Sequence, residues 1–338
     1  MNISDIEHFK NLLETRQQNI TEWLDSLSVK NSEDARKAQG LLTDIKKALE
    51  RIDKKTYGQC AVCHGEVEIH RLEVQPAVQV CLDCISAEEK EQLEEELFLA
   101  SKIHRALLPQ IIAEIDGFEV AVRSIAARNV GGDYYDFLPA ADGRSIKVVI
   151  ADSMGKGIPA GLLMSNLQGA LRILAETEES PADLIRRLNR WLCHNVPVTK
   201  FISLACIELK LLSNQETGMI LTNAGHCPLI LVRHNGTVER LNETGGVLGV
   251  HDKFVYEQKE FSLAPGDMVV LFTDGASEAE NSGGEMFGEE NIVRYVRAHR
   301  ADSFDVLIDD LLDEIRKFSG MTELTDDTTI IALRKKTS

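Results

Sequence analysis

The sequence is short of basic residues and has no long apolar run. Its 338 residues include 37 Lys and Arg against 54 Asp and Glu, a formal net charge of −17. Because a protein that clamps nucleic acid neutralises phosphates with clustered Lys and Arg, this balance argues against direct nucleic-acid binding. No apolar run approaches the roughly 18 residues that cross a bilayer, and the first ten residues are polar and acidic, unlike a signal peptide. We therefore expect a cytoplasmic protein with no membrane partner.

The sequence also lacks internal repeats, low-complexity segments and the even set of cysteines typical of a disulfide framework. Of seven cysteines, four stand in two tight pairs, and Cys193, Cys206 and Cys227 are scattered among apolar neighbours. This pattern indicates one metal site plus free thiols in the core. A length of 338 residues with 43% hydrophobic content suits two or three globular domains.

Two amphipathic helical patterns open the chain. Apolar residues recur every three to four positions over 3–29 and again over 38–52, and a polar break at 30–34 separates them. Two helices of similar length with a short connector predict an antiparallel helical hairpin, which we assign to 1–56.

The paired cysteines form a metal-binding pattern. Cys60-x-x-Cys63 and Cys81-x-x-Cys84 are two knuckles that can bring four thiolates into the tetrahedron that zinc prefers. Four cysteine ligands leave no open position for a substrate, so we expect one structural Zn²⁺ in a small domain at 57–85. The alternatives are four unmetallated thiols or a redox dithiol, for which two matched pairs have no evident use.

A third helix is predicted over 86–108 and connects the cysteine domain to the rest of the chain. Ser86-x-x-Glu89 is a capping box, and Pro109 ends the pattern. The helix has an acidic face, typical of a solvated surface, and an apolar seam interrupted by His104. We expect the seam to be regulatory and to pack on another helix, as in a homodimer, through Leu93, Leu97, Ala100 and Leu107.

Strand-like apolar runs in the remaining segment, 109–338, include Leu229–Val232 and Met268–Phe272, and an amphipathic helix is predicted near 181–195. Aspartates stand beside turns in the same segment. Asp133 follows two glycines, Asp152 and Asp274 each end an apolar strand-like run, and Asp326-Asp327 precedes another. An aspartate before glycine is by itself usually only a turn residue. Carboxylates brought together by these strands would repel each other unless a hard cation such as Mg²⁺ or Mn²⁺ neutralised them.

The cysteine segment resembles the zinc finger of the DksA/TraR family. The resemblance is carried by 57–63, Arg71-Leu72-Glu73, Pro76 and 81–84, with a helical hairpin before them. It implies binding to RNA polymerase through acidic residues at the hairpin tip, where this chain has Glu33, Asp34 and Ala35. A structural or signal-receiving module is the alternative.

The segment from about 108 to 335 resembles the metal-dependent protein phosphatases of type 2C, in their bacterial SpoIIE/RsbU branch. The matching motifs are Val130–Phe137, Ala151–Met164, Asn223–His226, Gly245–Gly249, Pro265–Asp267, Phe272–Glu278 and Asp326–Thr329. The resemblance implies an α+β fold in which two antiparallel sheets form a four-layer αββα sandwich. The hairpin, the zinc finger and the linker helix would precede it.

The resemblance also implies a role for each aspartate. Asp152 would bridge two Mn²⁺ or Mg²⁺ ions, and Asp133 would bind one of them together with the backbone carbonyl of Ser153. Asp274 and Asp326 would bind the other ion, with Asp327 beside them. The implied reaction is hydrolysis of phosphoserine or phosphothreonine on a partner protein. By the same resemblance, we expect this partner to be an anti-sigma-factor antagonist.

Two other function classes remain open. One is a non-catalytic regulator of RNA polymerase that uses the phosphatase domain as a scaffold, and the other is a pseudoenzyme that binds phosphoprotein without hydrolysis. Lys156 lies between glycines but lacks the spacing of a nucleotide-binding loop. His226 is a candidate general acid or, as we expect, a structural turn residue.

Overall fold

The computed structural model describes residues 3–26, 33–109, 114–140, 143–177, 180–197, 199–211, 217–321 and 324–337. Contacts divide the chain into two compact units, Met1–Glu95 and Glu96–Ser338. Across the described ranges, none of the helices has the length and apolar character needed to traverse a bilayer.

The first unit is mostly helical. It contains α1 (Ile3–Ser26), α2 (Glu33–Asp53), α3 (Ile69–Val74), a 3-10 turn (Leu82–Cys84) and the start of α4 (Ala87–Leu107). The two helices predicted at the start of the chain are present as α1 and α2. Most of the polar break predicted between them, together with Leu27 of the first pattern, lies outside the described residues.

One apolar core joins the hairpin to the cysteine segment. Phe9 and Leu13 of α1 pack with Ile45 and Ala48 of α2, so the start of one helix lies beside the end of the other. The same core continues through Tyr57, whose ring centroid is 5.8 Å from that of Phe9. A segment as small as the cysteine region cannot bury a large core of its own, and it shares this one.

The second unit alternates strands and helices. Its strands are β1 (Phe118–Ile125), β2 (Asp133–Pro139), β3 (Ser145–Ser153), β4 (Ile202–Leu211), β5 (Thr217–Ala224), β6 (Leu229–Val232), β7 (Val238–Leu241), β8 (Lys259–Leu263), β9 (Met268–Phe272) and β10 (Thr328–Lys335). Its helices after α4 are α5 (Ile158–Ala175), α6 (Pro181–Asn195), α7 (Asp274–Ser277), α8 (Glu289–Ala298) and α9 (Phe304–Ser319).

The strands form two antiparallel five-stranded sheets, in the orders β1-β10-β9-β6-β7 and β2-β3-β4-β5-β8. One core lies between the sheets, a second lies between the first sheet and α8 and α9, and a third lies between the second sheet and α5 and α6. Three cores between four layers define an αββα sandwich. The predicted α+β fold class is confirmed.

Candidate active site

The predicted aspartates come from both sheets and converge at one edge of the sandwich. Asp133 begins β2 and lies opposite Asp152 near the end of β3. Asp274 begins α7 directly after β9, and Asp326 lies two residues before β10. Antiparallel pairing of β9 with β10 brings the last two positions together, because β9 ends where β10 begins.

Two threonines hold the carboxylate of Asp133. The hydroxyls of Thr273 and Thr329 donate to its Oδ2 at 2.8 and 2.7 Å. The amide of Thr329 in turn donates to the hydroxyl of Thr273 at 2.9 Å. Asp133 is 4% exposed, and its Oδ1 has no hydrogen-bond partner among the described residues. A buried carboxylate oxygen without a partner is costly, and a bound cation would satisfy it.

The turn after β3 packs closely on the glycines before Asp133. The amide of Ser153 donates to the carbonyl of Gly132 at 3.1 Å. A Cβ on Gly132 would lie 2.8 Å from the Ser153 hydroxyl and 3.2 Å from its carbonyl oxygen, so glycine is required there. This contact holds the Ser153 carbonyl beside the start of β2, where the sequence predicted a ligand.

Asp326 and Asp327 have different surroundings. Both carboxylate oxygens of Asp327 accept backbone amides, from Ala127 at 2.7 Å and from Gly132 at 2.5 Å. The Oδ2 of Asp326 lies 2.8 Å from the ammonium of Lys156. Asp327 therefore holds the loop before β2, and Asp326 is the residue of the pair that remains able to exchange its partner for a cation.

Burial and mutual repulsion perturb these carboxyl groups. Burial, with the charges of Asp133 and Asp274, raises the pKa of Asp152 to about 9. Burial also raises the pKa of Asp133 to about 8, against the lowering effect of the two threonine hydroxyls. The pKa of Asp274 is raised by burial and by Glu278 and Asp326. Such shifts are expected where carboxylates are arranged for a cation, which would favour their charged forms.

The donor set fits hard divalent cations. Its groups are carboxylate oxygens and a backbone carbonyl, which Mg²⁺ and Mn²⁺ prefer. One of these oxygens, Oδ1 of Asp133, is buried without a partner in the part of the chain that the structure describes. No three of these carboxylates in the described ranges bring oxygens within 4.8 Å of one another. The site is therefore more open than a single-ion cage, which suits ligands divided between two positions.

Sequence patterns did not indicate Thr273 and Thr329. Their role depends on the register that places the end of β9 and the start of β10 against the start of β2 of the other sheet. The only local signal was that Thr273 directly precedes Asp274 and that Thr329 ends the Asp326–Thr329 motif, for neither of which a role was predicted.

His226 lies beneath this edge and is 4% exposed. Its Nδ1 is 2.8 Å from the hydroxyl of Ser203, a residue that pairs with Asp152 across β3 and β4. Burial lowers the pKa of His226 to about 4, so the ring is neutral near pH 7. These features favour the structural role expected from the sequence over that of a general acid.

The end of α4 packs near the candidate site. Ser101 and His104 are buried, although the sequence showed His104 only as an interruption of the apolar seam. His104 and Arg105 line a cavity of about 360 Å³ together with Arg128, Asp133 and Asp327. A displacement of this part of α4 would therefore change the surroundings of Asp133, a candidate metal ligand.

The four paired cysteines form a compact cluster in the first unit. Their sulfur atoms all lie within 4.8 Å of one another, and those of Cys63 and Cys81 are 3.7 Å apart. The sulfur of Cys60 accepts the amides of Val62 and Cys81, each at 3.4 Å. This arrangement matches the tetrahedral four-cysteine zinc site.

The thiols of the cluster do not ionise independently. Backbone amides, chiefly those of Cys63 and Cys81, lower the pKa of Cys60 to about 6. Hydrogen bonds with neighbouring cysteines raise the pKa of Cys84 to about 12. The thiolate form is therefore favoured at Cys60 and opposed at Cys84. A bound divalent cation would stabilise the thiolate form of all four cysteines.

Comparisons with known proteins agree with both parts of this description. Residues 142–336, more than half of the chain, match the family model "Stage II sporulation protein E (SpoIIE)". Residues 55–90 match "Prokaryotic dksA/traR C4-type zinc finger". The chain is 30% identical to the phosphoserine phosphatase RsbU of Bacillus subtilis over 248 residues, which cover 73% of this chain and 72% of that protein.

The first part of the chain has a separate relative. It is 36% identical over 59 residues to the RNA polymerase-binding transcription factor DksA of Escherichia coli K12. The match covers 18% of this chain and 37% of DksA, so the chain spans little more than a third of that relative.

Solved structures show the same fold. The SiaA-PP2C domain of Pseudomonas aeruginosa superposes with a TM-score of 0.65 at 21% identity, covering 74% of this chain and 99% of that one. The RsbU and RsbW domains of a Mycobacterium tuberculosis protein superpose with a TM-score of 0.55 at 25% identity, covering 65% of this chain and 60% of that one. With a dksA/traR-type zinc finger before its catalytic domain, the chain belongs to the SpoIIE family and is a PP2C-type serine/threonine phosphatase.

Proposed function

We propose that this phosphatase hydrolyses phosphoserine and phosphothreonine on a partner protein, using two Mn²⁺ or Mg²⁺ ions held by Asp133, Asp152, Asp274 and Asp326. The observation that carries the proposal is the convergence of these carboxylates from both sheets at one edge, where burial and repulsion raise the pKa of Asp152 to about 9. Carboxyl groups with pKa values perturbed in this way cluster at functional sites.

Each residue has a defined task in this proposal. Asp152 would contribute to both cation positions, Asp133 and the Ser153 carbonyl would hold one cation, and Asp274 and Asp326 would hold the other. The threonine hydroxyls fix Oδ2 of Asp133, which leaves Oδ1 for the ligand role. When bound, the two cations supply Lewis acidity that activates water and neutralises charge on the phosphoryl group. Asp326, with 40% of its side chain exposed, lies where a substrate can approach.

The test is hydrolysis of a phosphoserine peptide by the full chain during a Mn²⁺ titration, beside Asp152→Asn. We expect metal-dependent turnover that the substitution lowers by at least a thousandfold. Asp313→Asn, which alters an exposed aspartate paired with Arg316 on α9, is the matched control and should retain wild-type turnover. Turnover that persists in Asp152→Asn would contradict the proposed ligand set.

The substrate we propose is a phosphorylated anti-sigma-factor antagonist, in a bacterial partner-switching pathway. The similarity to RsbU over nearly three quarters of the chain supports this choice. A folded phosphoprotein should be hydrolysed with a kcat/KM at least a hundredfold above that of a peptide carrying the same phosphoserine. Equal values for protein and peptide would contradict a dedicated protein substrate.

For the first part of the chain we propose a zinc-bound, signal-receiving module. The alternative is binding to RNA polymerase, supported by the similarity to DksA over 59 residues. Of the predicted tip residues, Asp34 is exposed and Ala35 is buried, and the connector 27–32 lies outside the described residues. Retention by immobilised polymerase core enzyme at micromolar concentration, lost in Asp34→Ala, would favour the alternative.

We further propose four segments in a cytoplasmic protein: a hairpin at 1–56, a zinc finger at 57–85, a linker helix at 86–108 and the phosphatase domain at 109–338. The linker would mediate a homodimer. Its supporting feature is exposed apolar surface, since Leu93 is 42% exposed and Phe98, Leu99 and Ile103 exceed 50%. The other seam residues, Leu97, Ala100 and Leu107, are half-buried.

Sedimentation velocity tests the dimer. The wild-type chain should sediment as a dimer and Leu99→Asp as a monomer, whereas Val306→Asp, at an exposed apolar position of α9, should remain dimeric. A wild-type monomer at 50 μM or more would contradict the proposal.

A further inference from the structure

Lys156 occupies the position opposite Asp326. Its ammonium lies 2.8 Å from Oδ2 of Asp326 and donates to the carbonyl of Thr325 at 3.1 Å. The flanking glycines, Gly155 with φ of 110° and Gly157 with φ of 74°, adopt backbone conformations that other residues rarely do. The loop between β3 and α5 is therefore shaped to bring this one lysine to the candidate site.

The charge of Lys156 acts on more than one carboxylate. It opposes the increase in the pKa of Asp274 that burial, Glu278 and Asp326 cause. Asp274 and Asp326 are the two residues proposed to hold the same divalent cation. Lys156 contacts Asp326 and acts electrostatically on Asp274. In the protein without metal, it therefore provides part of the positive charge that the cation would provide.

A divalent cation on Oδ2 of Asp326 and the Lys156 ammonium, which lies 2.8 Å from the same oxygen, would repel each other. An ordinary exposed ion pair contributes only about 0–1 kcal/mol, because solvent screens it and side-chain freedom is lost. Here the pair lies beside the acidic groups Asp152 and Asp274, where removal of one positive charge strengthens the attraction for any other cation.

We infer that Lys156 is a tethered counterion of Asp326 that competes with the divalent cation at the Asp274 and Asp326 position and thereby sets its affinity. The inference rests on the proposed metal centre and assigns Lys156 as a positioning residue for it. Binding of that cation releases the ammonium from Asp326. Because Lys156 lies one residue before the N-cap of α5, the exchange also alters the loop at the start of this helix.

The test is calorimetric titration of Mn²⁺ into the full chain after removal of weakly held cations, with the zinc content verified. We expect Lys156→Met to bind one of its Mn²⁺ ions about tenfold more tightly than wild type, equivalent to ~1.4 kcal/mol. Lys156→Arg, which keeps the charge, should remain within about threefold of wild type. Lys200→Met is the matched control, because the Lys200 ammonium lies beside Gly155 and the substitution removes the same charge nearby.

Thermal unfolding gives a second readout that does not depend on turnover. Metal-free Lys156→Met should unfold at a lower temperature than wild type and show a larger increase in Tm on addition of Mn²⁺. If Lys156→Met does not fold, Lys156→Gln takes its place. Equal or weaker Mn²⁺ binding by the folded variant overturns the inference, as does a higher KM for phosphopeptide with unchanged Mn²⁺ affinity.

Two outcomes separate the proposed metal centre from the role of Lys156. A wild-type chain that binds no Mn²⁺ overturns the proposed metal centre together with this inference. Mn²⁺ binding that Asp152→Asn abolishes and Lys156→Met leaves unchanged overturns the inference alone.

Discussion

Two hydroxyl groups hold one buried carboxylate, and this arrangement can be tested by a single methyl-for-hydroxyl exchange. Thr329→Val removes the 2.7 Å hydrogen bond to Asp133, together with the 2.9 Å contact between the hydroxyls of Thr329 and Ser124, and leaves the carboxyl group with fewer donors. We expect the free energy of unfolding of the second unit to fall by about 1–3 kcal/mol, because a buried acceptor loses a partner. Mn²⁺ affinity should fall as well, because the pKa of Asp133 rises further.

The control for this exchange is Thr222→Val. Thr222 is fully buried in β5, and its hydroxyl has no hydrogen-bond partner among the described residues. Thr222→Val should therefore leave the free energy of unfolding, measured with urea, unchanged or slightly higher. Equal destabilisation by both substitutions would mean that packing and not the bond to Asp133 decides the outcome.

His226 makes stability depend on pH. Its folded-state pKa of about 4 lies below the value of about 6.5 in the unfolded chain, so the unfolded state binds more protons between these values. The contribution of the neutral ring is present above pH 6.5 and is lost as the pH falls toward 4, by up to ~1.4 kcal/mol per pH unit. His226→Gln should remove this part of the slope in urea unfolding at pH 7.5, 6.0 and 5.0.

His104 also has a pKa lowered by burial and contributes a slope of the same sign. The informative quantity is therefore the difference between wild type and His226→Gln at each pH. A difference that does not shrink on acidification would contradict the assignment of a neutral buried ring.

At the level of elements, the short helix α7 depends on a close approach of backbones. A Cβ on Gly275 would overlap the carbonyl oxygen of Asp327, just before β10. Gly275→Ala should lower the free energy of unfolding by about 1–3 kcal/mol and displace Asp274 from its neighbours, because backbone atoms cannot yield as a flexible side chain can.

Gly169 in α5 provides the opposite case. It is exposed, and a Cβ there would meet no atom within 4 Å. Gly169→Ala should stabilise the chain by about 0.5–1 kcal/mol in urea unfolding, because alanine restricts the unfolded chain and favours a helix. Activity should be unchanged. Destabilisation by this variant would show that α5 does not tolerate the added methyl group.

Sequence patterns predicted the elements whose own residues form an apolar run or a clear apolar period. The apolar runs of β6 and β9 were expected at Leu229–Val232 and Met268–Phe272, where the structure has them. Helix α6 was expected at 181–195 from its strong apolar period and agrees as well. These segments are buried on one or both faces, and burial fixes their composition.

Other elements were not predicted, because their identity depends on partners far along the chain. Strand β1 mixes polar and apolar residues and pairs with β10, and β2 alternates little because almost all of it is buried. In the site, the aspartates were found through motif resemblance. The threonines and Lys156 matter only through contacts that the sheet register and the turns create.

On the scale of the whole molecule, two units with separate cores should unfold in separate steps. Among the described residues, only the four cysteines of the first unit form a cluster suited to zinc. A strong zinc chelator should therefore remove or lower one thermal transition and leave the other within about 2 °C, because metal-binding energy contributes directly to folding in small cysteine domains. Differential scanning calorimetry with zinc analysis is the measurement.

Cys63→Ser should reproduce the effect of the chelator on the first transition, and Cys206→Ser, at a buried cysteine of β4, should not. A single transition that moves as a whole on chelation would contradict independent unfolding of the two units.

Strand β10 lies between β1 and β9, so β1 cannot join the first sheet until that strand arrives. Phe118 of β1 pairs with Lys335 of β10, more than 200 residues later in the chain. At roughly 5–20 residues per second, a ribosome needs on the order of 10–40 s to cover this interval. During translation the edges of β1 and β9 that will pair with β10 are exposed, and chaperones or other chains can bind to them. Asp326 lies two residues before β10 and is translated with it. We therefore expect no phosphatase activity from the nascent chain until this segment has left the ribosome and β10 has paired.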